Sequence, residues 1–482
     1  MHRLRTCGTF VTCMVILATG GLKPVAAYAQ EKDTPYEFPT DSLVRANLEK
    51  WQDQKFGMII HWGLYAVPGI VESWSICSEE WITRDSTISY DDYKKWYFGL
   101  KDKFNPVSFN PEQWAKTAKD AGMKYLVFTT KHHDGFCMFD TKQTNFKISA
   151  GPFANNPRSD VAKYVFDAFR KEGLMIGAYF SKPDWHSEYY WWPSNATADR
   201  NNNYDIRQYP WRWEKFKQFV YNQVDELTQH YGKIDILWLD GGWVRPASTI
   251  NDEVKSWGHI SPWSQDIDMP MIATMARRNQ PGMLIVDRTV HGPYENYRTP
   301  EQHIPGQRLN YPWESCITLG GAWGYVPGDK YKSSAQVIHK LVEIVAKGGS
   351  LLLGVGPKPD GTLPDSAIAR LEEIGKWLNQ NGKAIYNTRA IEHFSDSGIY
   401  FTRSKEHITY AIANVDEKAC VPSTLNWKVN LPARSSKITC LQTGENVKWK
   451  IEGDAVVLTI PASVKKIDRL PALAFAFKME TE

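Results

Sequence analysis

The residues that could do chemistry gather where apolar runs end. Ile234-Asp235-Ile236-Leu237-Trp238-Leu239 runs into Asp240 and breaks at Gly241-Gly242, which leaves a lone carboxylate at a strand end. A short apolar run bounded by glycines reads as a strand covered on both faces, and its period of two sets Trp238 and Asp240 on one side. An aromatic face one step below a carboxylate suits a sugar ring. Taken alone, Asp240 reads more simply as a cap on the turn that follows. Other strand ends bear on the choice: His61 closes Phe56-Gly57-Met58-Ile59-Ile60, His132-His133 follow Tyr125–Thr130, Tyr179 and Ser181 end Met175–Ser181, and Arg288 ends Met283–Asp287. A buried polar group without a partner costs roughly 1–3 kcal/mol, so packing alone does not account for such a set.

Several chemistries are open to these groups. His61, His132, His133 and Asp134 are metal-ligand types, but neighbouring histidines on an extended strand point to opposite sides, and no H-x-H or H-E-x-x-H occurs. No metal or other cofactor is therefore expected. A serine nucleophile lacks its G-x-S-x-G elbow. Glycoside hydrolysis needs two carboxyl groups, about 5–5.5 Å apart when configuration is retained. Asp240 is one; Glu295, Glu301 and Glu314 are candidates for the other.

The elements that must position these groups alternate strand with helix. Strand-like Phe56–Gly63 precedes a helix from Pro111 that stops at Gly122; strand Tyr125–Thr130, a helix from Asp160 to Gly173, strand Met175–Ser181 and a long amphipathic helix Trp211–His230 lead to the Asp240 strand. Met283–Arg288 and Leu351–Gly356 read as later strands. This rhythm predicts parallel pairing in an α/β fold, a (β/α)8-like barrel of the TIM type over residues 30–384, whose active site lies at the C-terminal strand ends. No G-x-G-x-x-G follows the first strand, which argues against a dinucleotide fold. Residues 385–482 change to short alternating strands, Ile399–Thr402, His407–Ile412, Trp427–Leu431 and Val456–Ile460, a predicted antiparallel β-sandwich.

At 482 residues the chain exceeds one growing core. Net charge is +3, from 57 basic and 54 acidic residues, so nothing favours nucleic acid or an anionic membrane. Aromatic content of 13%, with 20 Trp and 23 Tyr, fits a carbohydrate binder. Residues 1–29 read as an export signal: basic His2-Arg3-Leu4-Arg5, an apolar stretch from Thr9 to Leu17, and cleavage after Ala27-Tyr28-Ala29. No later segment approaches ~20 uninterrupted apolar residues, so no membrane span is expected, and the periplasm is the favoured location, with extracellular or lysosomal placement as alternatives. Five cysteines remain in the mature chain, of which Cys420 and Cys440 could bridge, with buried free thiols as the alternative.

Several stretches together carry a family resemblance: Phe56-Gly57-Met58-Ile59-Ile60-His61-Trp62-Gly63, Glu80-Trp81, Lys131-His132-His133-Asp134-Gly135-Phe136, Trp238-Leu239-Asp240-Gly241, Asp287-Arg288, Thr299-Pro300-Glu301-Gln302, Trp313-Glu314-Ser315-Cys316, Trp323-Gly324-Tyr325 and Gly348–Pro357. The chain resembles the α-L-fucosidases of glycoside hydrolase family 29 over nearly its whole mature length. The resemblance implies an exo-acting, retaining enzyme for terminal α-L-fucose on fucosylated oligosaccharides or glycoconjugates, with Asp240 as nucleophile and Glu301 as acid/base. Glu295 stands in reserve for the second role, and Glu314 has a structural one. It also implies that His61, Glu80, Trp81, His132, His133, Tyr179 and Arg288 hold the hydroxyls and ring oxygen, while Trp238 and Trp323 flank the sugar and its methyl group. Glu79 precedes Glu80, so either glutamate could face the sugar. Asp240 must be ionised to attack, and Arg288 with the histidines would keep it so. Alternatives are a hydrolase of a related α-L-galactoside and a catalytically silent glycan-binding protein on the same scaffold.

Overall fold

Seven strands, buried throughout except at Asp240, form one curled parallel sheet in the computed structural model, which describes residues 34–85, 87–196, 199–417, 420–467 and 470–479. They are β1 (Phe56–Ile60), β2 (Tyr125–Lys131), β3 (Met175–Ser181), β4 (Ile236–Asp240), β5 (Leu284–Asp287), β6 (Glu314–Thr318) and β7 (Ser350–Val355). Their spatial order is β5-β4-β3-β2-β1-β7-β6. Register aligns the strand ends: Tyr179 pairs with Trp238 and Ser181 with Asp240. The segment 1–29 that reads as an export signal, with Cys7 and Cys13, lies outside the described residues.

The helices between strands read as surface layers and behave as such. Val161–Lys171 buries Val161, Ala162, Val165, Phe166, Ala168 and Phe169, a spacing that keeps one face on the sheet. Inside the sheet's curl a second set of side chains, including Ile59, Val127, Tyr179, Trp238, Val286, Tyr297 and Leu352, fills the barrel. Gly57 is needed there, since a Cβ would stand 2.4 Å from the Tyr125 ring.

An eighth regular strand is expected and is not found in this sheet among the described residues. Instead the chain after β5 turns back, with Asp287 N–H donating to Tyr294 O and Asn296 N–H to Ile285 O. It reverses at Tyr297 and rises along β6: Glu314 N–H donates to Arg298 O, Cys316 N–H to Pro300 O and Gln302 N–H to Cys316 O. Residues 298–302 thus take the missing strand's place between β5 and β6. Pro300 accepts but cannot donate, which prevents a regular ladder. Tyr297, at the reversal, stacks on Trp51 with ring centroids 3.9 Å apart.

From Thr388 onward the strands are antiparallel, in a six-stranded and a three-stranded sheet. Alternation divides their side chains between two cores: Tyr410, Ile412, Ala472 and Ala474 face the barrel helices, while Ala411, Ala413, Leu473 and Phe475 join Trp427 and Phe401 in the sandwich. Trp377 Nε1 donates to Ala472 O at 2.9 Å across the junction. Among the described residues the five cysteines are free thiols, with Cys420 exposed and Cys440 buried, so these two do not bridge. Among the described residues no helix is long and apolar enough to cross a membrane.

Candidate active site

At the end of β4, Asp240 accepts four interactions. Arg288 Nη1 donates to Oδ1 at 2.8 Å, the Gly241 amide to Oδ1 at 2.8 Å and the Tyr179 hydroxyl to Oδ2 at 2.7 Å, while His133 Nε2 lies 3.8 Å from Oδ2. Burial alone would raise its carboxyl; Arg288, His133, Tyr179 and Gly241 outweigh that and hold it well below the usual carboxylate range. The paired glycines permit the turn. Gly241 sits at φ +89°, where a Cβ would meet Pro183 at 2.3 Å, and a Cβ on Gly242 would lie 1.9 Å from Thr289 Oγ1.

The histidines at the ends of β1 and β2 stay neutral. His132 Nδ1 shares a hydrogen bond with Ser73 Oγ and His133 Nδ1 one with Ser181 Oγ, both at 2.5 Å. Burial pushes His132 down to about 4, against the pull of Asp240, and drives His61 and His133 well below the ordinary imidazole value. His61 Nδ1 is buried without a partner among the described residues, an unspent hydrogen-bonding atom at the cavity wall. Tyr179 is held protonated by burial and by Asp240, so its hydroxyl remains a donor.

Arg288 links Asp240 to Glu301. Its Nη2 donates to Glu301 Oε2 at 2.8 Å, its Nε to Thr299 Oγ1 at 3.0 Å, and its Cζ lies 4.6 Å from the Trp238 ring centroid. Two carboxylates held by neighbouring nitrogens of one planar guanidinium face a common space. Glu301 also accepts from Trp323 Nε1 at 3.1 Å, and its side chain is 41% exposed. These groups surround a cavity of about 220 Å³, lined by His61, His132, His133, Tyr179, Trp238, Asp240, Arg288, Glu301 and Trp323. That is below the roughly 300–1,000 Å³ of pockets for drug-sized ligands and suits one sugar ring. Among the described residues no group of three or more His, Cys, Asp or Glu is placed to hold a metal ion.

Four expected or candidate residues lie elsewhere. Glu80 is exposed and outside the lining, because the loop after β1 buries Glu79 instead, in a pair with Arg200 Nε at 2.8 Å. Trp81 is also outside the lining and is 55% exposed; its place on the wall belongs to Trp74. Glu295 is buried away from the cavity, accepting from the Thr289 amide and paired with His291 Nδ1 at 2.7 Å. Glu314 sits beneath the cavity, where Tyr125 Oη at 2.7 Å and Trp238 Nε1 at 3.1 Å donate to it, and burial pushes its carboxyl up to about 7.

The sequence reading missed Glu72-Ser73-Trp74. Glu72 accepts the Gly324 amide at 2.7 Å and so fixes the Trp323 turn, Ser73 orients His132, and Trp74 forms the wall. The signal was present: the Glu-x-Trp spacing of residues 79–81 occurs seven residues earlier at 72–74. Arg200, Trp243, Trp257, Ile260 and Thr289 were also missed as lining residues. They follow no periodic element.

A parallel barrel that opposes two carboxylates across a sugar-sized cavity is the architecture of a glycoside hydrolase. The family model for alpha-L-fucosidase matches residues 24–383, and the chain belongs to that family. Human plasma alpha-L-fucosidase is 28% identical over 393 residues, 79% of each chain. Among solved structures, alpha-L-fucosidase isoenzyme 1 from Paenibacillus thiaminolyticus superposes with a TM-score of 0.72 at 30% identity, over 91% of this chain and 100% of that one. The Thermotoga maritima alpha-fucosidase in complex with a mechanism-based inhibitor gives 0.70 at 27% identity, over 92% and 100%. The chain is a glycoside hydrolase of the α-L-fucosidase type.

Proposed function

We propose that the enzyme releases terminal α-L-fucose from fucosylated glycans by double displacement through a covalent fucosyl-Asp240 ester. The observation that carries this reading is the single guanidinium of Arg288 bonded to both Asp240 and Glu301. Asp240, ionised and fixed by its donors, attacks the anomeric carbon as Glu301 protonates the departing oxygen; Glu301 then takes a proton from the water that opens the ester. His61, His132, His133 and Tyr179 hold the ring hydroxyls, and Trp238 and Trp323 flank the sugar and its methyl group. Glu80, Trp81 and Glu295 have no part in the fucose site. A 2-fluoro-fucosyl fluoride should label Asp240 in a digest read by mass spectrometry, and early hydrolysis product should be the α-anomer by proton NMR. A label on another residue, or a β-anomer formed first, overturns the proposal.

Two further readings accompany it. Residues 1–29 act as a cleaved export signal into the periplasm, and residues 385–482 form a separate β-domain behind a catalytic barrel of residues 30–384. Sequencing the N-terminus of the protein recovered from a periplasmic fraction should begin at Gln30.

A further inference from the structure

Outside the sugar-sized end of the cavity stands a rim that bond cleavage does not use. Trp74 on the wall has its ring centroid 5.7 Å from Trp243 and 5.5 Å from Trp81, so three indoles form a strip leading outward. The outermost, Trp81, leaves 55% of its surface in solvent; Trp211 and Trp96 are exposed as well, but Trp81 is the one packed against the cavity wall. Exposed indole area at the mouth of a binding cavity points to a ligand that covers it.

The segment after β4 supplies the neighbouring part of the rim. Trp257 and Ile260 line the cavity and are half-buried. His259 Nε2 lies 3.7 Å from Glu79 Oε2, two residues from Trp81, and Asn201 Nδ2 donates to His259 O at 2.7 Å. Trp257 is fixed from below, since Arg245 Cζ lies 4.9 Å from its ring. Arg245 is buried and donates to three main-chain carbonyls: Gly242 at 2.5 Å, Thr289 at 2.7 Å and Thr249 at 3.3 Å. The guanidinium therefore clamps the loops that follow Asp240 and Arg288 and sets Trp257 above them.

Charge defines what this rim accepts. Arg200 faces Trp74 and Trp243, each 5.2 Å away, but Glu79 takes its Nε and Nη2 at 2.8 and 2.9 Å. Asp199 adds a second acid, 3.4 Å from His259 Nδ1. The guanidinium that faces the indole strip, Arg200, is already matched by Glu79, which disfavours an acidic ligand. Flat indoles beside satisfied polar groups fit the C–H face of an uncharged sugar ring.

We propose that Trp81, Trp257 and Ile260 form a subsite for the leaving group, stacking on a neutral pyranose, with Arg245 as the positioning residue that fixes Trp257. This rests on the fucosidase mechanism above. The test compares α-L-fucosyl fluoride, whose leaving group is one atom, with a neutral fucosyl disaccharide. Trp81→Ala and Trp257→Ala should each lower kcat/KM about tenfold more on the disaccharide than on the fluoride, chiefly through KM, a loss equivalent to about 1.4 kcal/mol. Arg245→Lys should show the same split, smaller. Equal losses on both substrates, or no loss on the disaccharide in either tryptophan variant, would overturn the subsite. A carboxylate on the leaving sugar should lower kcat/KM in the unmodified enzyme; a rise would overturn the neutral-ring assignment. Failure of the enzyme to hydrolyse the fluoride at all would instead overturn the mechanism on which the subsite rests.

Discussion

The two carboxylates that face each other across the cavity sit on opposite kinds of backbone. Asp240 ends a regular strand, 17% exposed at its side chain, with donors from β3, β5 and its own turn. Glu301 rides on residues 298–302, an irregular stand-in for a strand; it is 41% exposed and is held by Arg288 and Trp323. A group that attacks needs one ionisation state and one position, and a buried, over-coordinated site gives both. A group that gives and takes back a proton must reach different leaving groups, so fewer and more movable partners suit it.

The largest expected effect breaks the fixed side. Asp240→Gly should lower kcat/KM by about 10⁴-fold or more, and azide should restore part of it by entering the space left by the side chain. Full activity without azide would remove Asp240 from the chemistry. Next is Arg288→Gln, which leaves Asp240 buried without its cation. Because Arg288 lowers the Asp240 carboxyl, its loss should raise it, moving the acid limb of the kcat/KM profile to higher pH as the rate falls. An unmoved acid limb would count against the bridge. Glu301→Ala then sharpens the contrast: it should slow natural glycans by about 10²–10⁴-fold and fucosyl fluoride far less, since only the former need a proton on the leaving oxygen. If Glu295→Ala shows that selectivity instead, the assignment passes to Glu295, although its bonds to Thr289 and His291 predict a loss of stability with no dependence on leaving group.

The same contrast explains what could be read from sequence. Asp240, His61, the His132-His133 pair and Arg288 stand at the ends of periodic apolar runs, where alternation assigns a side chain to a face before any contact is known. Segment 298–302 has no such period, because Pro300 and the reversal at Tyr297 interrupt it, so Glu301 came from resemblance and the missing eighth strand was not foreseen. The loop after β1 is harder still. It folds as short 3-10 turns, Leu64–Ala66 and Ser73–Ile76, whose residues face the cavity or solvent according to bonds made with distant chain. Nothing local separates Glu72-Ser73-Trp74 from Glu79-Glu80-Trp81; the bonds to Gly324 and His132 do.

The smallest expected effect concerns two buried groups near the cavity that titrate against each other. His132 has a folded pKa of about 4 against an ordinary 6.5, so from pH 6.5 down to about 4 the unfolded chain binds a proton that the folded one does not, and stability falls as the pH drops. Glu314 is displaced the other way, from 4.5 to about 7, so the folded protein holds the extra proton and stability falls as the pH rises through that window. Each shift corresponds to roughly 3 kcal/mol, with opposite sign over nearly the same range. The unmodified enzyme should therefore show little change in unfolding free energy from these groups between pH 4.5 and 6.5. Relative to the unmodified enzyme, Glu314→Gln should shift the slope towards a stability that rises with pH there, and His132→Gln towards one that falls. Denaturant titrations at pH 4.5, 5.5 and 6.5 check this, and slope changes of the same sign in both variants, each measured against the unmodified enzyme, would show that the carboxyl beneath Trp238 and the imidazole beside Asp240 are not poised against each other.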